Sequence, residues 1–126
     1  MIVLDASALL AFLFRETGHD VVGEHIEEAC ISTVNMSEVA GRFVRDGIDP
    51  APLLDKILES SILVIPFTFT HAIYAARLLQ QTSRFGLSLG DRACLGLAQE
   101  RGLAVLTADT VWEQLAAIDV EVVLIR

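Results

Sequence analysis

A chain of 126 residues, 53% hydrophobic, is long enough to bury a core without disulfides, and its 17 acidic against 9 basic side chains leave a net charge of -8. That balance excludes a protein that wraps nucleic acid through a broad basic surface, because non-specific affinity comes mostly from neutralising phosphates. No apolar run reaches the roughly 18 to 20 residues of a membrane span, and Asp5 interrupts the opening run where a secretory leader would continue, so the expectation is one cytoplasmic domain over residues 1–126.

Met1 to Leu4 is apolar throughout, which suits a strand covered on both faces of a parallel sheet, and Asp5 closes it. Ser7 is the expected N-cap of a helix from Ala8 to Phe14, and Thr17 that of a second helix to about Glu28, with Val21, Val22 and Ile26 inward. Cys30 to Val34 reads as strand two and Met36 to Arg45 as a helix with the stripe Met36, Val39, Ala40 and Phe43, stopped at Gly47. Asp49-Pro50 is a helix start, an acid cap followed by proline in the first turn, and that helix runs to about Ser60. Ile62 to Ile65 forms strand three, Thr70 caps a helix toward Gln81, and residues 82–87 read as a loop. Ser88 or Asp91 opens a helix ending near Arg101, where Gly102 supplies the stop. Ala104 to Leu106 makes strand four, Thr110 to Ala117 a short helix and Val120 to Ile125 strand five. Strands alternating with helices predict a three-layer α/β/α domain with a mostly parallel sheet, whose ligands bind beyond the carboxyl ends of the strands. Cys30 and Cys94 lie inside apolar segments and read as buried free thiols.

Four acids fall at strand-to-helix junctions or near them: Asp5, Glu38, Asp91 and Asp109. Each has an ordinary alternative. Asp5 satisfies its own turn, Asp91 and Asp109 cap the helices that follow, and Glu38 lies opposite its apolar stripe within reach of Arg42 at i+4. Asp91 fits the ordinary account less well, because 91, 94, 95 and 98 share one helical face and the last three are Cys94, Leu95 and Ala98. Jointly the four are costly. Two unit charges about 4 Å apart repel by roughly 4 kcal/mol at an effective dielectric near 20. With Lys56 the only lysine, the economical counter-charge is a divalent ion, and an all-oxygen donor set suits Mg2+ or Mn2+. Such an ion supports phosphodiester cleavage by activating water and stabilising the leaving oxygen.

The stretches IVLDASALL, ISTVNMSEVAG, LSLGDRACLGLA and VLTAD span nearly the whole chain, and in this order and spacing the sequence resembles a PIN-domain ribonuclease, most similar to the VapC-like toxins of toxin-antitoxin pairs. The resemblance implies a five-stranded parallel sheet of order 3-2-1-4-5 with a metal site at its carboxyl edge. It implies that Asp5, Glu38 and Asp91 are the core metal ligands and Asp109 the fourth acid, with Ser7 and Thr107 as supporting hydroxyls. It also implies endoribonuclease activity with Mg2+ or Mn2+, a homodimer, and inhibition by a cognate antitoxin.

Arg42, Arg45, Arg84 and Arg92 are the candidates for contacts to RNA phosphates, with solvated or ion-paired surface as the ordinary alternative. His19, His25 and His71 lack the i,i+4 spacing of a helical zinc site, and Phe67, Phe69 and Trp112 make no stacking platform. Two other functions compete. A phosphoryl-transfer protein using Asp5 as nucleophile would want a lysine at a late strand end or a second aspartate where Ser7 stands, and no Gly-rich phosphate loop ending in lysine is present. A catalytically inactive interaction module would need the acids only as caps.

Overall fold

The computed structural model describes residues 1–126. Five short strands, β1 (Ile2–Leu4), β2 (Ala29–Ser32), β3 (Leu63–Ile65), β4 (Ala104–Thr107) and β5 (Val122–Leu124), form one sheet of order β3-β2-β1-β4-β5. Every neighbouring pair is parallel, with Val3 opposite Cys30 on one side and Val105 on the other. The helices are α1 (Ala6–Leu13), α2 (His19–His25), α3 (Thr33–Arg45), α4 (Ala51–Glu59), α5 (Phe69–Arg77), α6 (Leu79–Thr82) and α7 (Leu89–Arg101). The expected fold class and strand order are both present.

The period-two direction of strand side chains divides the core between the two faces. Ile2, Leu4, Ala29, Ile31 and Leu106 pack with α1 to α4 through Leu9, Val22, Met36, Val39 and Ile57. Val3, Cys30 and Val105 point the other way, onto Leu78, Cys94, Leu95, Leu97, Ala98 and Trp112. Both cysteines are free and buried, as expected, and burial pushes each thiol up, which disfavours the thiolate. No helix is long and apolar enough to cross a membrane.

Several element starts differ from the sequence reading for local reasons. Strand β2 ends at Ser32, whose hydroxyl accepts from Val34 N and so begins α3 three residues before Met36. Ser7 does not cap α1. The cap position belongs to Asp5, and Ser7 sits inside the first turn. Gly18, at φ 97°, replaces Thr17 as the cap of α2, because a Cβ there would strike the Ile125 carbonyl. Thr68 rather than Thr70 caps α5, in a capping box closed by the His71 ring. The helix expected to reach Gln81 breaks at Leu78 into α5 and α6, and residues 83–85 form a 3-10 turn instead of an open loop. The segment after Asp109 is a 3-10 helix of Thr110–Gln114 only.

Strand order decides where a site can form. From β1 the chain moves outward through β2 to β3, then returns to place β4 on the other side of β1. The carboxyl ends of β1 and β4 therefore border the crevice where the winding reverses, the favoured ligand position in open α/β sheets. Asp5 follows β1 and Asp109 follows β4, while α3 and α7 begin at the same edge with Glu38 and Asp91 in their early turns.

Candidate active site

Asp5 is held by hydroxyls from the first turn of α1 and from the end of β4. Its Oδ2 accepts from Ser7 Oγ at 2.6 Å and from Thr107 Oγ1 at 2.9 Å. Each hydroxyl in turn accepts a backbone N–H, Ser7 from Ala108 at 2.9 Å and Thr107 from Asp109 at 3.1 Å. A hydroxyl has one proton to give, so with both protons spent on Asp5 the 3.3 Å approach of Ser7 to Thr107 is proximity, not a further bond. The residue is only 4% exposed. Burial raises its carboxyl above the ordinary 3.8, the two hydroxyls pull it back, and the charge of Asp91 pushes it up again.

Glu38 is supported differently. Asn35, fully buried one turn earlier on α3, donates through Nδ2 to Glu38 Oε1 at 2.9 Å and also to the Gly90 carbonyl at 2.9 Å. The carboxylate rests against the Cα of Gly90, in the space a side chain would fill. Although the residue as a whole is exposed, its carboxyl end loses water there. That desolvation raises it above the ordinary 4.5, Asn35 opposes the rise, and Asp5 and Asp91 add to it. The suggested pair with Arg42 does not form. Arg42 instead meets Asp46 at 3.1 Å and lies over the Phe14 ring.

Asp91 and Asp109 both cap, and both keep an oxygen in reserve. Asp91 Oδ2 accepts from Ser88 N at 2.8 Å while Ser88 Oγ accepts from Asp91 N at 3.2 Å, a reciprocal box at the start of α7. Asp109 Oδ1 accepts from Val111 N at 3.1 Å. Glu38, Asp91 and Asp109 each have one carboxylate oxygen fixed by a protein donor and the other without one, while Asp5 takes both hydroxyls on Oδ2 and feels the Ala6 N–H as well. The ion pairs of the chain join Arg42 to Asp46, His71 and Arg101 to Glu100, and Arg126 to Glu16, so no Arg, Lys or His neutralises any of the four. Asp5, Glu38 and Asp91 feel one another's charge. As the side chains stand, no three His, Cys, Asp or Glu residues converge tightly enough to grip an ion in common.

The other candidates are scattered. Arg92 turns to α5, donating from Nη1 to the Ala75 carbonyl at 2.9 Å. Arg84 is exposed and lies over the Phe85 ring, and Arg45 is exposed and unpaired on α3. His71 is buried against Glu100, away from His19 and His25 on α2. Trp112 is in the core, Phe67 leans toward the His71 ring, and Phe69 is 83% exposed. Asn35 and Gly90 are the site residues that the sequence reading missed. The available signals were an asparagine in the first turn of a helix, where it is a poor helix former, and a glycine immediately before Asp91.

A parallel α/β protein with uncompensated acids gathered at its topological switch point is the class that fold and site define. Residues 2–118 match the PIN domain family, and the chain belongs to it. The fold is similar to that of the DNA-bound VapBC of Salmonella typhimurium, with a TM-score of 0.72 at 18% identity over 99% of this chain and 98% of that one. A toxin-antitoxin complex from Klebsiella pneumoniae gives 0.70 at 21% identity, covering 100% and 98% of the two chains. VapC20 of Mycobacterium tuberculosis, a toxin that cleaves the sarcin-ricin loop, gives 0.70 at 13% identity over 96% and 99%. At such identities the likeness establishes the fold. No curated protein matches the sequence.

Proposed function

We propose that the chain is a metal-dependent endoribonuclease, hydrolysing RNA phosphodiester bonds as the toxin of a toxin-antitoxin pair. The observation that carries this reading is the acid set itself: Asp5, Glu38, Asp91 and Asp109 stand at the switch point with no cationic side chain to balance them, and the last three each hold one oxygen free of protein donors. A buried carboxylate such as Asp5 is costly unless a cation shares it.

The donor chemistry suits Mg2+ or Mn2+, since all four are hard oxygen ligands, and the side chains as they stand do not converge three to a point, so an ion held there would keep waters in its shell. Bound there, the cation would neutralise phosphate charge and lower the pKa of the attacking water. The chain's own residues do the rest. Ser7 and Thr107 fix the Asp5 carboxylate between α1 and β4, and Asn35 seats Glu38 beside the first turn of α7. Asp91 and Asp109 each offer a free carboxylate oxygen to accept the proton released as water attacks phosphorus, and the leaving oxygen of the broken P–O bond takes its proton from solvent.

The chain carries a net charge of -8, so RNA binding is local and cation-assisted. Arg84 and Arg45 are exposed without an ion pair and are free to meet phosphate, whereas Arg42 and Arg92 are engaged within the chain. The toxin-antitoxin complexes of the same fold support a cognate antitoxin as the restraining partner, and we propose with it a homodimer acting in the cytoplasm.

The capping roles of Asp91 and Asp109 favour a second reading, an inactive PIN module that only binds a partner. Asp91→Asn separates the two, because an amide oxygen still accepts from Ser88 N but is a poor ligand for a hard cation. Freed of antitoxin, the wild type is expected to cut RNA with Mg2+ or Mn2+ and to stop with chelator. The variant is expected to lose more than about 100-fold in cleavage, beyond the loss of a supporting group, at near-native thermal stability. Wild-type protein that cuts no RNA with any divalent ion would leave the module reading standing.

A further inference from the structure

Asn35 is an unusual residue to find fully buried in the first turn of a helix. Asparagine disfavours helix interiors because its side chain competes for backbone groups, and buried amides require partners. Here the partners are fixed by chemistry. The Glu38 carboxylate and the Gly90 carbonyl both only accept, so the group facing them is the NH2, and the orientation of the amide follows without ambiguity. The cost is visible on its other side, where Asn35 Oδ1 is buried with no donor. The fold thus tolerates an unpaired carbonyl in order to keep two N–H groups on two helices that are 55 positions apart in sequence.

Gly90 completes the arrangement. It lies in the first turn of α7, directly before Asp91, and the Glu38 carboxylate occupies the place its side chain would take. One amide therefore sets Glu38 against the very turn that presents Asp91. Without Asn35, nothing in the chain donates to Glu38, and its flexible side chain is free to swing into solvent.

We propose that Asn35 is a positioning residue, acting through Glu38: with Gly90 as its seat, it sets Glu38 and Asp91 at the spacing at which they share one divalent cation. The proposal rests on the metal-dependent reading above and adds a residue to it. Groups that orient metal ligands typically contribute 10- to 100-fold in affinity.

The test is Mn2+ binding to the whole chain without RNA, followed by the loss of the free-ion paramagnetic resonance signal, beside thermal unfolding of the same proteins without metal. Asn35→Ala is expected to weaken Mn2+ by about 10-fold or more, and to cost little further in a Glu38→Gln background, because the effect passes through Glu38. Gly90→Ala gives an independent arm should Asn35→Ala fail to fold. The obstructing atoms are the end of a flexible side chain and alanine favours the helix, so it should fold as wild type while displacing Glu38 and weakening Mn2+ similarly. Wild-type Mn2+ affinity in a folded Asn35→Ala or in Gly90→Ala overturns the proposal. A full further loss from Asn35→Ala in the Glu38→Gln background overturns it too, since Asn35 would then act by another route. A wild-type chain that binds no Mn2+ would overturn the metal reading itself and this proposal with it.

Discussion

Asp5 and Glu38 on one hand, and Asp91 and Asp109 on the other, are four carboxylates at one sheet edge held in two ways. The first two are gripped by side chains, hydroxyls for Asp5 and an amide for Glu38, and both are pushed above their ordinary values by lost water and by their neighbours' charge. The second two are gripped by backbone N–H groups at the starts of helical segments. A backbone grip is local and serves the fold as much as the site. A side-chain grip must be assembled from distant residues and serves mainly to aim the acid. The first pair therefore costs the empty protein stability and the second contributes to it.

The comparison breaks most strongly at Thr107. Replacing it with valine removes a hydroxyl that donates to the Asp5 carboxylate and accepts from Asp109 N, in a fully buried position. Hydrogen bonds to charged groups contribute about 1.5 to 3 kcal/mol, and a loss of that size in urea unfolding is the expected outcome. A change below about 0.5 kcal/mol would show that Asp5 does not depend on the strand β4 hydroxyl. Asp109 is the next largest. Asp109→Ala should cost about 1 kcal/mol through the lost cap, and Asp109→Asn only a few tenths, so equal losses in the two would contradict a capping role.

The smallest effect has the opposite sign. Asp5 and Glu38 have raised values in the folded chain, so the native state holds more protons than the unfolded one between the ordinary and the raised values. Their contribution to stability is fully present below the ordinary values of 3.8 and 4.5, and is lost as pH rises through the raised ones. Asp5→Asn abolishes its share and still accepts from Ser7 and Thr107. Without metal and at neutral pH the variant should melt slightly above wild type, and the difference should shrink toward acid. A variant that melts lower at every pH would refute the claim that Asp5 is held against its preference for water.

How far the sequence discloses this molecule depends on the range of the interactions involved. Strand β1, the alternation of elements and the helix stop at Gly102 are written in neighbouring residues and are legible there. Asp91 is legible as an acid heading the stripe of Cys94, Leu95 and Ala98, all buried. Glu38 is not, because helical spacing assigns it to solvent and its seat is made by Gly90 on another helix. Ser7 reads as a cap and is instead a donor to Asp5, a role that needs Ala108 to hold its oxygen. The Thr68 capping box was hidden because histidine, not glutamate or glutamine, closes it. The family resemblance puts Glu38 forward for the site where helical spacing does not, and it says nothing of Asn35.

The hydroxyl pair around Asp5 also has a consequence in time. Thr107 stands 102 positions after Asp5, and Ala108 stands 101 after Ser7. During synthesis the amino-terminal segments emerge first, and contacts of such separation wait until most of the chain is available. A nascent chain that has built β1 to β3 has Asp5 with neither Thr107 nor the neighbouring strand, and it has no Asp91 until α7 appears. The acids come into register only when β4 docks beside β1, so the site is timed to the arrival of β4 and Asp109 and is incomplete on a chain that stops before them.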